Sequence, residues 1–314
     1  MESIRAISGA GWLLGMLLLS ACGQRATNES EKVGVSDATN LAHGAPPVDG
    51  HHFLSSGTNE MKVRRYTDAR SALADIILRE NPTVIGFGEF HQSTTTRNIK
   101  SALARFEEDL MPLIGAASSD LIVETWIPRG CGKVEADVIE EVETVTERPK
   151  QTENETVRLI HTAEKLGVVP HILDVSCSQY ESLFDTNGEI DYLRMLELVG
   201  SLMGDKAAKA LAHRQSHPVN GRWRVLLYGG AIHNDLHFTE DWSGCTFGPK
   251  LKALGAKYLA IDLFVPEFIR SSRLVQNEPW YPLFEKNVSA DHVVLIEKAL
   301  NSYIIIFKSG VLNS

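Results

Sequence analysis

Thr83-Val84-Ile85-Gly86-Phe87-Gly88-Glu89-Phe90-His91 is the stretch on which the fold turns. Its first five residues are short, apolar and β-prone, without the polar alternation of a half-exposed strand, so they read as a strand covered on both faces. Asn81-Pro82 just before it stops a helix. That helix is expected to be capped by Thr67-Asp68 and to run to about Glu80, with Ala69, Leu73, Ile76 and Ile77 on one face. Downstream, Ile99, Leu103, Phe106 and Leu110 fall at helical spacing and predict a helix from Thr95 to about Leu113.

The unit recurs along the chain. Leu121-Ile122-Val123-Glu124 reads as a second strand, followed by a helix from about Glu153 to Leu166, with Leu159, Ile160 and Ala163 inward. A third strand is expected over Val168 to Val175, then a long helix from about Ile190 to His213. Arg224 to Tyr228 and Tyr258 to Val265 are a fourth and fifth strand, separated by a short helix near Pro249-Leu254. Such alternation predicts an α/β fold: a mainly parallel sheet with helices on both faces. Val293-Val294-Leu295-Ile296 and Tyr303-Ile304-Ile305-Ile306-Phe307 lie close enough to form an antiparallel hairpin at one edge.

Composition sets the outer bounds. The chain has 314 residues, and its 31 Lys+Arg against 40 Asp+Glu give a net charge of −9, with 43% hydrophobic residues, which excludes wholesale disorder. A mildly acidic chain lacks the positive field that nucleic acid requires.

Arg5 followed by the apolar segment Trp12 to Leu19 and by Ser20-Ala21-Cys22 has the outline of a signal peptide. Leu19-Ser20-Ala21-Cys22 resembles the bacterial lipobox, in which the cysteine is acylated and becomes the mature N-terminus. Residues 1–21 are then a leader, Cys22 a lipid anchor to the membrane, and 22–60 a Ser-, Asn-, Gly- and Pro-rich tether. Residues 61–314 form a single domain in this reading. Gly23 rather than Asp after the cysteine places it in the cell envelope, at the outer membrane facing the periplasm. Cys131 and Cys177 both follow predicted strands at one sheet edge and are the expected disulfide there, with Cys245 left over.

In an open parallel sheet, ligands bind beyond the carboxyl ends of the strands. The first strand runs into Gly88-Glu89-Phe90-His91, the second into Glu124-Thr125-Trp126, the third reaches Asp174, the fourth runs into Gly229-Gly230-Ala231-Ile232-His233, and the fifth carries Asp262. Gly-x-x-His therefore occurs twice, each time directly after a buried strand, where glycine lets the chain turn and carry the imidazole back over the rim. Glu89, His91, Glu124 and His233 are the candidate catalytic residues. His91, Glu124 and His233 suit a divalent metal, with Glu89 orienting or deprotonating the attacking water in hydrolysis of an ester or amide. A metal-free variant uses Glu89 as base and the histidines as polarising donors. The substrate is then a small molecule or a peptide. Tyr228 reads as a buried strand tyrosine, with a phenolate or hydroxyl of the site as the alternative, and Arg97 as an exposed helix arginine, with a holder of a substrate anion as the alternative. No Gly-x-Ser-x-Gly elbow supports a serine hydrolase.

Strand-Gly88-Glu89-Phe90-His91, then Glu124, then strand-Gly230-Ala231-Ile232-His233, resembles the superfamily of the ChaN haem-binding lipoproteins, the erythromycin esterases and the Tiki/TraB proteins. The Gly-Glu-x-His form is closest to the ChaN-like members, and the pattern spans about residues 83 to 262. The resemblance implies an α/β domain, functional roles at Glu89, His91, Glu124 and His233, and, as the alternative to hydrolysis, a lipoprotein that binds haem or iron for uptake without catalysis.

Overall fold

The computed structural model describes residues 61–129, 151–188, 190–219, 221–238 and 242–310. Cys22 and Cys131 lie outside them, so the lipid anchor and the Cys131–Cys177 bridge are not addressed by it. Eight strands form one sheet: β1 (Lys62–Tyr66), β2 (Val84–Glu89), β3 (Ser118–Arg129), β4 (Val169–Ser176), β5 (Arg224–Gly230), β6 (Tyr258–Phe264), β7 (Val293–Ala299) and β8 (Ser302–Ile306). Their order is β1-β7-β8-β6-β2-β5-β3-β4. Pairings from β8 through β6, β2, β5 and β3 to β4 are parallel, and the β7 contacts with β1 and β8 are antiparallel. The fold is thus the α/β class expected from the alternation, with the C-terminal hairpin at one side.

β2, β5 and β6 are buried along their whole length, because helices cover both faces. One face packs Leu73 and Ile76 of the helix Ala69–Glu80, Leu103 and Leu110 after β2, and Leu159 of the helix Gln151–Lys165. The other packs Met195, Val199 and Met203 of the long helix Tyr192–Ser216, together with Phe247 and Leu251. Among the described residues no helix is long and apolar enough to cross a membrane.

Two elements differ from expectation. β1 was not foreseen: Lys-Val-Arg-Arg-Tyr is a charged edge strand with little burial, so its hydrophobic pattern carries almost no signal. The helix expected from Thr95 begins only at Ala102, capped by Ser101. The Gln92 side chain donates to the carbonyls of Thr96 (3.0 Å) and Ile99 (2.6 Å) and folds residues 92–99 into a loop against the strand end. Helical spacing across 99–110 was real only from 102 on; a π-helical stretch, Phe106–Leu110, then leads into Met111–Ile114.

The connections place the site. After β2 the chain crosses to the Leu73 face, and after the neighbouring β5 it crosses to the Met195 face, as the core memberships of Leu103 and Phe247 record. Adjacent parallel strands whose exits diverge to opposite faces leave a crevice at their carboxyl ends. Here that crevice lies between Glu89 and Gly230, which are paired in register.

Candidate functional site

Glu89 is the last residue of β2 and points to the same face as Phe87, where it meets Tyr228 of β5. His91 Nδ1 lies 2.7 Å from Glu89 Oε1, and the Tyr228 hydroxyl donates to Glu89 Oε2 at 2.8 Å. With one carboxylate oxygen on each, Glu89 is fixed in orientation, and an ionised Glu89 assigns the imidazole proton to Nδ1, so the ring lone pair sits on Nε2. Glu89 and His91 are 3% and 6% exposed, which makes this a buried charge-assisted pair rather than a surface one. Tyr228, for which the sequence favours a buried strand tyrosine over a hydroxyl of the site, is part of the site.

Glu124 lies on the opposite face of β3, in line with Ile122 and Trp126. The backbone N–H of Gly230 donates to its Oε2, and His233 Nε2 stands 3.7 Å from its Oε1. Both side chains are fully buried. His233 belongs to a one-turn helix, Ala231–Asn234, laid directly on β2. Gly88 makes that approach possible: a Cβ there would lie 2.6 Å from the Ala231 Cα and 2.7 Å from Asp262 Oδ1. His233 Nδ1 is 2.6 Å from the carbonyl oxygen of Cys245 and therefore donates to it. Burial pushes the His233 pKa down to about 4 against the smaller opposing effect of that bond. His233 is thus neutral, with its lone pair on Nε2 facing Glu124. It accepts rather than donates, unlike the polarising donor foreseen in the metal-free reading.

The four expected residues therefore form two carboxylate–imidazole pairs, Glu89–His91 and Glu124–His233, one on each face of the rim. β5 joins them: Tyr228 touches the first and Gly230 the second. Around Glu124, Thr125 Oγ1, Trp126 Nε1 and His233 Nε2 are buried and have no hydrogen-bond partner among the described residues. Buried polar atoms in that state are unusual and suit a polar ligand or water.

The expected metal ligands do not converge as a set. Among the described residues no three His, Cys, Asp or Glu side chains are grouped as a metal centre requires. Of the other strand-end carboxylates, Asp174 is exposed and paired with Lys206 at 2.7 Å. Asp262 is buried beside Gly88 and hydrogen-bonded by Asn234 Nδ2 at 3.1 Å.

Glu155 was missed from sequence. It is 9% exposed, accepts a hydrogen bond from Ser101, and burial, with the charge of Glu89 adding to it, raises its pKa. A signal existed: Glu155, Leu159 and Ala163 recur every fourth residue along the inward face of one helix.

The fold and the rim define a class: an α/β protein whose sheet carries two buried carboxylate–imidazole pairs at a topological switch point. No protein-family model matches the chain, and no curated protein matches it. A solved structure, that of the type III effector HopBA1, is similar at a TM-score of 0.40 and 11% identity, covering 79% of this chain and 98% of that one. So loose a likeness carries no argument about function.

Proposed function

We propose that this chain is an acid–base hydrolase of ester or amide bonds, of the ChaN-like, erythromycin esterase and Tiki/TraB kind, tethered to the bacterial envelope through lipid on Cys22. The observation that carries the reading is the bridging of Glu89 between His91 Nδ1 and the Tyr228 hydroxyl at a buried strand end. An imidazole held by a carboxylate on one nitrogen is the oriented general base of acyl-transfer sites.

In this mechanism His91 Nε2 takes a proton from water as the water oxygen bonds to the substrate carbonyl carbon. Glu89 holds the Nδ1 proton and stabilises the imidazolium, and Tyr228 holds Glu89. When the tetrahedral intermediate collapses, the carbon–oxygen or carbon–nitrogen bond breaks and the proton on His91 passes to the leaving group. Acid and alcohol, or acid and amine, are released. His233 Nε2 and Glu124 Oε1, both acceptors, take a polar hydrogen of the substrate, and the Trp126 indole N–H, a donor only, suits an oxygen beside it. The substrate class is a small molecule or peptide carrying both.

The test is a panel of simple esters and peptides offered to the full-length protein and to Glu89→Gln, His91→Gln and His233→Gln, with metal content measured in parallel. Loss of about 10²–10⁴-fold in turnover for Glu89→Gln and His91→Gln is expected. Activity untouched by these changes overturns the reading. No hydrolysis, together with a Soret band on haem titration that is abolished in the histidine variants, replaces it with the haem-uptake alternative.

A further inference from the structure

A second group of buried charges lies behind the His233 helix. Lys298, near the end of β7, places Nζ 3.4 Å from Asp235 Oδ1 and 3.8 Å from Asp262 Oδ2. The Lys298 side chain is 18% exposed, and those of Asp235 and Asp262 are 12% and 9% exposed. Glu278, ahead of the helix Tyr281–Asn287, is a third carboxylate facing the same ammonium. Burial opposes the charge on Lys298, but the three carboxylates outweigh it and hold the ammonium protonated. Burial also pushes Asp262 up to about 6, and Lys298 only partly offsets this.

Hydrogen bonds of Asp262, of the Asp235 backbone and of neighbouring Tyr258 run to the residues around His233. Asp262 Oδ1 accepts from Asn234 Nδ2 at 3.1 Å, and Tyr258 donates to the Asn234 carbonyl at 2.9 Å. Asp235 follows the helix, and its carbonyl accepts from Thr246 Oγ1. Thr246 Oγ1 also lies 3.1 Å from the His233 carbonyl, and the preceding residue, Cys245, supplies the oxygen that takes the His233 Nδ1 proton. A helix of one turn has no stability of its own, so these contacts set where the imidazole lies.

We propose that Lys298 is a positioning residue for His233. By holding Asp262 against Asn234 and Asp235 against the 245–247 loop, it fixes the imidazole with its proton on Nδ1 and its lone pair toward Glu124. The inference rests on the reading of His233 as a working residue of the site and extends that site to β7, which contributes nothing else to it.

The test is long-range proton–nitrogen NMR of the full chain labelled with ¹⁵N-histidine, the His233 signals being identified by their loss in His233→Gln. The native protein shows one tautomer, protonated at Nδ1 and slow to exchange with solvent. Lys298→Met gives mixed tautomers and at least tenfold faster exchange of that proton, and Lys298→Arg restores the native pattern. If Lys298→Met does not fold, Asp262→Asn, which keeps the side-chain volume and removes the charge, is read the same way. A native His233 spectrum in the variant that folds, with only a lower melting temperature, overturns the proposal. No substrate is present in this measurement. An altered spectrum beside absent hydrolysis therefore discards the hydrolase and keeps the positioning, and the reverse outcome discards the positioning.

Discussion

Replacing Gly88 by alanine tests the packing on which the site depends. The new Cβ would lie 2.6 Å from the Ala231 Cα, 2.7 Å from Asp262 Oδ1 and 3.1 Å from the Asn234 Cβ. Carbon pairs settle at about 3.5–4.0 Å, and a backbone atom cannot rotate out of the way, so the His233 helix must lift by roughly 1 Å. Overpacking of this kind costs about 1–3 kcal/mol. The upper half of that range applies, because the lift also lengthens the 3.1 Å bond between Asn234 and Asp262. For a domain of this size, about 2–3 kcal/mol lowers the melting temperature by roughly 4–10 °C. Gly188→Ala is the control. Its φ is +82° with nothing within 4 Å of a Cβ, so it carries backbone strain alone, about 1–2 kcal/mol, and leaves the site intact. Urea titration and calorimetry measure both, with the His233 spectrum as the local report. If Gly88→Ala loses no more stability than Gly188→Ala and keeps the native His233 tautomer, the helix does not rest on β2 as described.

Three further outcomes follow from buried groups. His233 takes its proton near pH 4 when folded and near 6.5 when unfolded, so the unfolded chain binds more protons between those values; acidification through that window removes about 3 kcal/mol of stability. His233→Gln should lack this loss, so its stability relative to the native protein improves from pH 7 to pH 4; parallel profiles contradict the burial. Asp120 is held well below the usual carboxylate range because bonds from His171 (2.9 Å) and Arg214 (2.7 Å) outweigh the opposing burial. Its stabilisation is full above the ordinary aspartate pKa and fades as pH falls below it, so Asp120→Asn should cost about 3 kcal/mol at pH 7 and progressively less toward pH 2; a gap independent of pH refutes it. Tyr228→Phe removes one hydrogen bond to Glu89, and turnover should fall about tenfold with KM little changed, whereas an unchanged rate leaves Tyr228 a packing residue.

Much of this was legible because two signals agreed. β2, β5 and β6 are apolar runs, as buried parallel strands require, and β2 and β5 carry glycine at their carboxyl ends, so the rim residues could be named before their geometry was known. What sequence could not settle was which side of a strand each residue takes near a bulged or glycine-rich end. Glu89 and Glu124 both terminate apolar runs, yet they face opposite cores, which divides an expected single cluster into two pairs. Lys298 left no trace because a single lysine at the end of a hairpin strand ordinarily faces solvent; its burial depends on Asp235, Asp262 and Glu278, which arrive from three other parts of the chain. β1 and the loop at Gln92 were missed for related reasons: one is stabilised by pairing rather than by an apolar pattern, the other by side-chain bonds to backbone carbonyls.

The most direct measurement is turnover in a cycle of Glu89→Gln, Glu124→Gln and the double variant on a substrate hydrolysed by the native protein. Two pairs joined through β5, the first acting on the scissile bond and the second holding the same substrate for it, should each lose about 10²-fold or more when broken, with the double variant little worse than the poorer single one. Losses that multiply independently, or a Glu124→Gln enzyme with native turnover, would contradict a shared site at the rim.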